Sequence, residues 1–335
     1  MKDCKNYSLL KHNTFGIDAQ CKRFLEYADE EEASKVAGVL REQASPYIII
    51  GGGSNLLLTR DFDGVVVRSA IRGIEQQGGG RIRCGSGEVW DDVVAWCVAH
   101  QLYGAENLSL IPGDVGASAV QNIGAYGVEV KDLIAQVEAV EIATGKQCFF
   151  SNEDCEYGYR DSRFKHEWKN KYLITHVVYR LKTDDAQPST EYGNIRAELD
   201  RRGIQTPTAA ELREVVIAIR EAKLPDPKVT GNAGSFFMNP VVSREKFEAL
   251  LAQYPQIPHY YIDEQHEKIP AGWMIDQCGW KGKSLGRAGV HDKQALVLVN
   301  RGGATGQEIV DLCEAIRNDV RERFGIDIHP EVNII

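Results

Sequence analysis

PYIIIGGGSN, residues 46–55, is the stretch on which the reading of the fold turns. Three isoleucines after Tyr47 have the composition of a buried strand, and the strand runs straight into three glycines. Glycines let backbone N–H groups approach an anion closely because no side chain intervenes, and Ser54 and Asn55 add polar contacts. Gly51, Gly52, Gly53, Ser54 and Asn55 therefore suit a pyrophosphate, although a glycine turn that merely joins two strands has the same composition.

Moving outward, an acidic start and apolar spacing predict a helix between Tyr27 and Ser45. Strands are expected at 56–58, 64–68 and 81–85, and Trp90, Val93, Val94, Cys97 and Val98 follow the spacing of an amphipathic helix. The next stretch, LSLIPGDVGASAVQNIGAYG at 108–127, is too rich in small residues for an ordinary amphipathic element. It reads as a second glycine loop, and two such loops are what wrapping an extended dinucleotide requires; tight core packing is the competing explanation. VEAVEIATGKQCFF predicts a hairpin turning at Thr144 and Gly145, and YLITHVVYRLK, 172–182, a further strand.

A capping box of Thr208 with Glu211 opens a helix that Pro225 and Pro227 end, and a domain boundary falls near there. Beyond it the pattern predicts a helix over 243–254, a short one around AGWMIDQCG and a strand in QALVLVN. A final helix is opened by Thr305 with Glu308 and stopped at Gly325, and IHPEVNII is a terminal extended segment. The mixture is α+β.

At 335 residues the chain is longer than one core usually supports, so two domains are expected. Lys plus Arg number 39 against 48 Asp plus Glu, and no basic run exists to bind a phosphate backbone, which argues against nucleic acid. The N-terminus lacks a secretion signal and no long uncharged apolar window follows, so a cytoplasmic protein with no membrane partner is expected. Eight scattered cysteines with no C-x-x-C pair predict reduced thiols and no metal site.

Two familiar signatures fail. KGKS at 281–284 lacks the first glycine of a phosphate-binding loop, which would stand at Gln277, and HEWKN at 166–170 has Asn170 where a zinc-protease helix needs its second histidine. Three other features stay open on residue chemistry alone. YGYRDSRFK, 157–165, offers Arg160 as a bidentate carboxylate ligand or is a surface ion-pair cluster. Ser235, in GNAGSFFMNP, lies outside any nucleophile elbow and is either a functional hydroxyl or a helix cap. Glu331, in an otherwise apolar terminal strand, is either a paired buried acid or an exposed edge carboxylate.

NTFGI (13–17), GGGSN, IPGDVGASAVQNIGAYG, GYRDSRFK, KLPDPKVTGNAGSFFMNP (223–240), AGWMIDQCG and HPEV occur in the order of the UDP-N-acetylenolpyruvoylglucosamine reductases of bacterial cell-wall synthesis, and over nearly the whole chain the sequence resembles that family. The resemblance implies a two-subdomain FAD-binding lobe of the vanillyl-alcohol-oxidase type over 1–222, divided at about 1–68 and 69–222. A smaller α+β substrate-binding lobe over 223–325 and a terminal strand over 326–335 returning to the active site complete the expected architecture.

It further implies non-covalent FAD, NADPH as reductant and UDP-N-acetylglucosamine enolpyruvate as substrate, in a monomer. Ser235 would be the proton donor, Arg160 the carboxylate ligand, and Glu331 its helper in holding the enolic form. Cofactor contacts would come from the GGGSN loop and from Ile111, Pro112, Gly113, Gly116, Asn122, Gly124, Tyr126 and Arg220. Tyr192, Lys223, Asn239 and Gln294 would hold the nucleotide sugar, with Tyr192 on an extra loop that marks a subgroup. Met238 and Ala119 depart from the family pattern, which has Lys and Pro there. Two other classes compete: a flavin oxidase on the same scaffold acting on a small alcohol or hydroxy acid, and a nucleotide-sugar binder without chemistry.

Overall fold

A computed structural model describes residues 1–184 and 188–335. The chain divides into two compact units, one of residues 1–7, 21–52 and 62–222, the other of residues 8–20, 53–61 and 223–335.

The first unit holds two sheets. In one, strands Lys2–Ser8, Gln20–Tyr27, Phe62–Ser69 and Tyr47–Ile50 lie side by side in that order, and the last three run parallel. The helix Glu30–Glu42 lies between two of these parallel strands in the chain and supplies the crossover that parallel strands need. Asp29 caps it by accepting from the Glu32 N–H, and Ala33, Val36, Ala37 and Leu40, spaced on one face, are buried. In the other sheet, Gln147–Ser151, Ile134–Glu141, Tyr172–Arg180, Arg81–Gly85 and Ile74–Gly78 are all antiparallel to their neighbours.

Val137, Val177 and Tyr179 of this second sheet bury against Trp90, Val93, Val94 and Cys97 of the helix Trp90–Ala99. Each such apolar side chain, fully buried, contributes about 1.5–3 kcal/mol. A separate small core joins Ile195 and Leu199 to Leu212, Val215 and Val216, from the helices Ile195–Arg201 and Ala209–Lys223.

The second unit contains an antiparallel sheet of Gly231–Ser235, Val297–Asn300, Ala288–Val290 and Ser284–Leu285. Its long helix, Gly306–Phe324, begins at the Thr305–Glu308 capping box and ends at Gly325 in the left-handed region. A three-stranded sheet of Val241–Ser243, His266–Lys268 and Tyr260–Asp263 adjoins the helix Arg244–Gln253. Asn333–Ile334 runs parallel to Leu56–Leu57, tying the C-terminus to the segment after the glycine loop.

Several expectations need correction. Tyr47–Ile50 is half-buried, because it forms the edge of its sheet. The 108–127 stretch contains a seven-residue helix, Val115–Gln121, whose alanines and glycine let it pack closely. Residues 8–20 and 53–61 group with the later unit and not with the rest of 1–222. The terminal strand is only two residues long and Glu331 precedes it. Lys2–Ser8 carries no apolar run, so its strand has no sequence signal.

Candidate functional site

Several of the residues named from sequence lie in segments of the first unit that bend through rare backbone conformations or pack too tightly for a side chain. A Cβ on Gly51 would come within 2.9 Å of Ala117 Cβ, and one on Gly52 within 3.0 Å of Asp114 Oδ1. Both glycines are therefore required by packing as well as by any ligand. The N–H groups of Gly51 and Gly52 find no protein acceptor among the described residues, which leaves two donors for an anion. Gly116 differs: its N–H donates to Ser86 O at 2.8 Å, and a Cβ there would lie 3.0 Å from Ser86 Cβ. Its part is close packing, the explanation held open for this loop.

Leu110, Asn122, Tyr126 and Arg160 all adopt positive φ, between 42° and 57°. Such conformations cost energy outside glycine and persist where surrounding bonds fix them. At Leu110 the fixing group is Asp91, which accepts the Leu110 N–H at 2.5 Å and the two Arg213 Nη groups at 2.6 and 2.9 Å. Burial raises the Asp91 pKa, but Arg213 and the Leu110 N–H outweigh it and hold the carboxyl below its ordinary value. Ile111, Pro112 and Gly113 continue the loop from this anchored point, and Gly113 is itself at φ 124°.

Arg220, near the end of the helix Ala209–Lys223, keeps its Nε buried with no hydrogen-bond partner. Burial lowers its pKa, opposed by Tyr126 and Asp91, while the nearby Arg160 cation adds to the lowering. Burial in turn raises the Tyr126 hydroxyl above its ordinary range, with Arg220 pulling the other way. Two guanidinium groups thus share a region whose carboxylate, Asp91, is already held bidentately by Arg213. An orphaned buried donor, clustered cations and the free Gly51 and Gly52 N–H groups fit a polyphosphate or carboxylate ligand.

Arg160 itself donates to Gly124 O at 2.5 Å and Asn122 O at 3.3 Å. Gly124 must lack a side chain, since a Cβ would lie 2.9 Å from Arg160 Nη1. The exposed Tyr192 ring covers Gly127, at 3.3 Å from where a Cβ would stand, and Tyr126 approaches Gly193 in the same way at 3.7 Å. Two Tyr-Gly turns therefore interlock, Gly127 at φ 80° and Gly193 at φ 65°.

In the second unit, Thr14 links two other motifs. Its N–H donates to Gly53 O at 3.1 Å, and its hydroxyl donates to Asn232 O at 2.6 Å. Gly53, at φ 73°, leaves no room for a Cβ, which would fall 2.0 Å from His12 O. Ser235 ends the strand Gly231–Ser235 with its side chain exposed, and Phe236 and Phe237 after it are fully buried. The helix-cap alternative for Ser235 is thereby removed.

The Glu331 N–H donates to Phe236 O at 2.8 Å, so Glu331 is tied to the residue next to Ser235. Asn55 Nδ2 donates to Glu331 O at 3.3 Å, and the Asn333 N–H to Asn55 O at 3.1 Å, which brings the end of the glycine loop to the same place. Asn239 and Gln294 meet at the start of the helix Ala271–Gln277: Asn239 Oδ1 accepts the Ala271 N–H at 2.9 Å, and Gln294 Oε1 lies 3.2 Å from where Gly272 would carry a Cβ. Lys223 is exposed.

Ser235, Glu331 and Asn55 are thus assembled within one unit, and Arg160, Tyr126 and Arg220 within the other. Sequence reasoning missed Asp91, since a lone helix acid carries no motif, and it quoted Thr14 within NTFGI without assigning its part in holding Gly53 and Asn232. Two surface depressions, of about 350 and 300 Å³, include none of Ser235, Glu331 or Arg160.

Comparison with known families matches residues 226–335 to the C-terminal domain of UDP-N-acetylenolpyruvoylglucosamine reductase and residues 22–151 to an FAD binding domain. A UDP-N-acetylenolpyruvoylglucosamine reductase of Bacteroides fragilis is 57% identical over 336 residues, covering 99% of each chain. One from Porphyromonas gingivalis is 48% identical over 335 residues, 99% of this chain and 98% of that one. The crystal structure of UDP-N-acetylenolpyruvylglucosamine reductase from Thermus caldophilus has the same fold, with a TM-score of 0.69 at 21% identity over 99% of this chain and 98% of that one.

Proposed function

This chain belongs to the UDP-N-acetylenolpyruvoylglucosamine reductase family, and from that premise we propose how its own residues carry the reaction. The protein is an FAD-dependent oxidoreductase that uses NADPH to reduce UDP-N-acetylglucosamine enolpyruvate to UDP-N-acetylmuramate in peptidoglycan synthesis. FAD, when bound, would supply the hydride-transfer chemistry that links NADPH to the terminal vinyl carbon of the substrate.

Hydride addition leaves carbanion character beside the substrate carboxylate, and the protein must stabilise that charge and then protonate the carbon. Arg160 pairs with the carboxylate, its fork matching the two oxygens. Glu331 works with it to hold the enolic form. Ser235 gives its hydroxyl proton to the carbon next to the carboxylate and recovers a proton from solvent after product leaves. An enolate carbon is strongly basic, so a weak acid suffices when it is well placed and water is excluded.

The Gly51 and Gly52 N–H groups, with Gly53, Ser54 and Asn55, would hold the diphosphate of FAD, and Ile111, Pro112, Gly113, Gly124, Tyr126 and Arg220 would complete its site. Tyr192 and Lys223 take the nucleotide part of the substrate. Asn239 offers its NH₂, since its oxygen is occupied by Ala271, and Gln294 lies toward the sugar. NADPH and a nucleotide sugar as substrates support a cytoplasmic location, and the protein acts there as a monomer; the cell wall it helps to build supports cell shape and division.

The observation that supports the catalytic reading is the backbone bond from Glu331 to Phe236, which ties the chain at Glu331 to the residue that follows Ser235. Anaerobic stopped-flow absorbance tests it. The purified protein shows a bound-flavin spectrum that NADPH bleaches and the enolpyruvyl nucleotide restores. In Ser235→Ala, bleaching keeps its rate while restoration slows by roughly 10²–10⁴-fold. Equal slowing of both halves overturns the assignment.

A further inference from the structure

Asn122 was expected to touch the cofactor, but its surroundings give it other work. It is fully buried and left-handed, at φ 42°, a conformation that asparagine tolerates better than most residues. Its Nδ2 donates to Gly158 O at 2.6 Å and to Glu129 Oε2 at 3.0 Å, and its Oδ1 accepts the Lys131 N–H at 3.1 Å. Two acceptors on one side and a donor on the other also fix which end of the amide is which. Both amide hydrogens and the oxygen are therefore committed inside the protein.

Those bonds converge on Arg160. Gly158 and Asp161 exchange backbone hydrogen bonds of 3.0 and 3.1 Å across a tight turn that carries Tyr159 and Arg160, with Arg160 at φ 55°. The Asn122 side chain grips this turn at Gly158 O, while its main-chain O accepts from Arg160 Nη1 at 3.3 Å. Lys165 Nζ closes the turn from outside by donating to Arg160 O at 2.7 Å. One residue thus holds the arginine both at its backbone and at its guanidinium.

We infer that Asn122 is a positioning residue that sets the aim of the Arg160 guanidinium toward the substrate carboxylate, and that it makes no side-chain contact with FAD. The inference rests on the reading of Arg160 as the carboxylate ligand. A bidentate pair needs both nitrogens aimed at once, so loosening the turn spoils the pairing although the arginine remains.

The test separates the two half-reactions in the FAD-loaded enzyme. Asn122→Gly keeps the left-handed backbone and removes the amide clamp. It retains FAD and is bleached by NADPH within about threefold of the wild-type rate. Its KM for the enolpyruvyl nucleotide rises, and restoration of the flavin slows, by roughly 10- to 100-fold. In an Arg160→Lys background the same change adds little, because a lysine has no fork to aim.

Loss of FAD with slowed bleaching makes Asn122 a cofactor contact and overturns the inference. So do full additivity with Arg160→Lys and an unchanged restoration rate. If Arg160→Lys alone leaves restoration unchanged, the reading of Arg160 falls and this inference falls with it.

Should Asn122→Gly fail to fold, as judged by flavin content and cooperative melting, Asn122→Asp carries the test. It is nearly isosteric, keeps the acceptor for Lys131, and faces Gly158 O and Glu129 with a carboxylate. Its restoration rate recovers as pH falls and the new carboxyl regains a proton to donate. A pH profile parallel to that of the wild type sinks the positioning role.

Discussion

Ser235 and His176 illustrate how placement sets the proton chemistry of a single side chain. The Ser235 hydroxyl ends a strand immediately before two buried phenylalanines, and that anchoring would let it serve as the proposed proton donor. His176 is buried in the first unit, and its Nδ1 lies 2.8 Å from Arg83 Nη2, which can only donate, so that nitrogen is unprotonated. Burial lowers its pKa first, and the Arg83 cation lowers it further against the opposing Glu30 and Glu138. The folded value then lies below the unfolded one, about 6.5, so the unfolded chain binds the extra proton. Stability contributed here is complete above about pH 6.5 and is lost as pH falls through the folded value. Urea midpoints measured from pH 7 to pH 5 should drop more in the wild type than in His176→Asn. Parallel slopes for the two proteins disprove the assignment.

At the level of one element, the helix Gly306–Phe324 separates local propensity from packing. Thr305 and Glu308 reciprocally cap its first turn, and the pattern S/T-x-x-E was readable because both groups lie within four residues. Gly306 carries no such local signal, yet a Cβ on it would fall 1.9 Å from Leu58 O, on the segment after the glycine loop. Thr305→Ala should cost about 1 kcal/mol through the lost cap. Helix propensity alone would have Gly306→Ala stabilise the protein. The close approach makes it destabilising instead, by about 1–3 kcal/mol, in guanidinium unfolding. A stabilised Gly306→Ala would refute the packing argument. The same division explains the strand Lys2–Ser8, whose polar sequence has no alternation to read, although Tyr7 stacks on Phe24 at 4.4 Å.

Taken as a whole molecule, the chain interleaves its units: residues 8–20 and 53–61 leave the first stretch of sequence and join residues 223–335. Thr14 donates to Asn232, Leu56–Leu57 pairs with Asn333–Ile334, and Leu58 packs on Gly306. Residues 223–335 expressed alone should therefore lack a cooperative melt and show poorly dispersed amide resonances. A sharp two-state transition from that fragment would contradict the interleaving. The sequence by itself determined the α+β composition, the capped helices, the glycine loops and, through motif order, the family; each of these depends on residue types at short, constant spacing. Only the tertiary structure decided that Gly116 serves packing, that Asn122 is committed to the Arg160 turn and that Glu331 meets the Ser235 strand. Those relations join residues between 30 and 95 positions apart, and a hydrogen bond across such a separation leaves no periodicity in the chain.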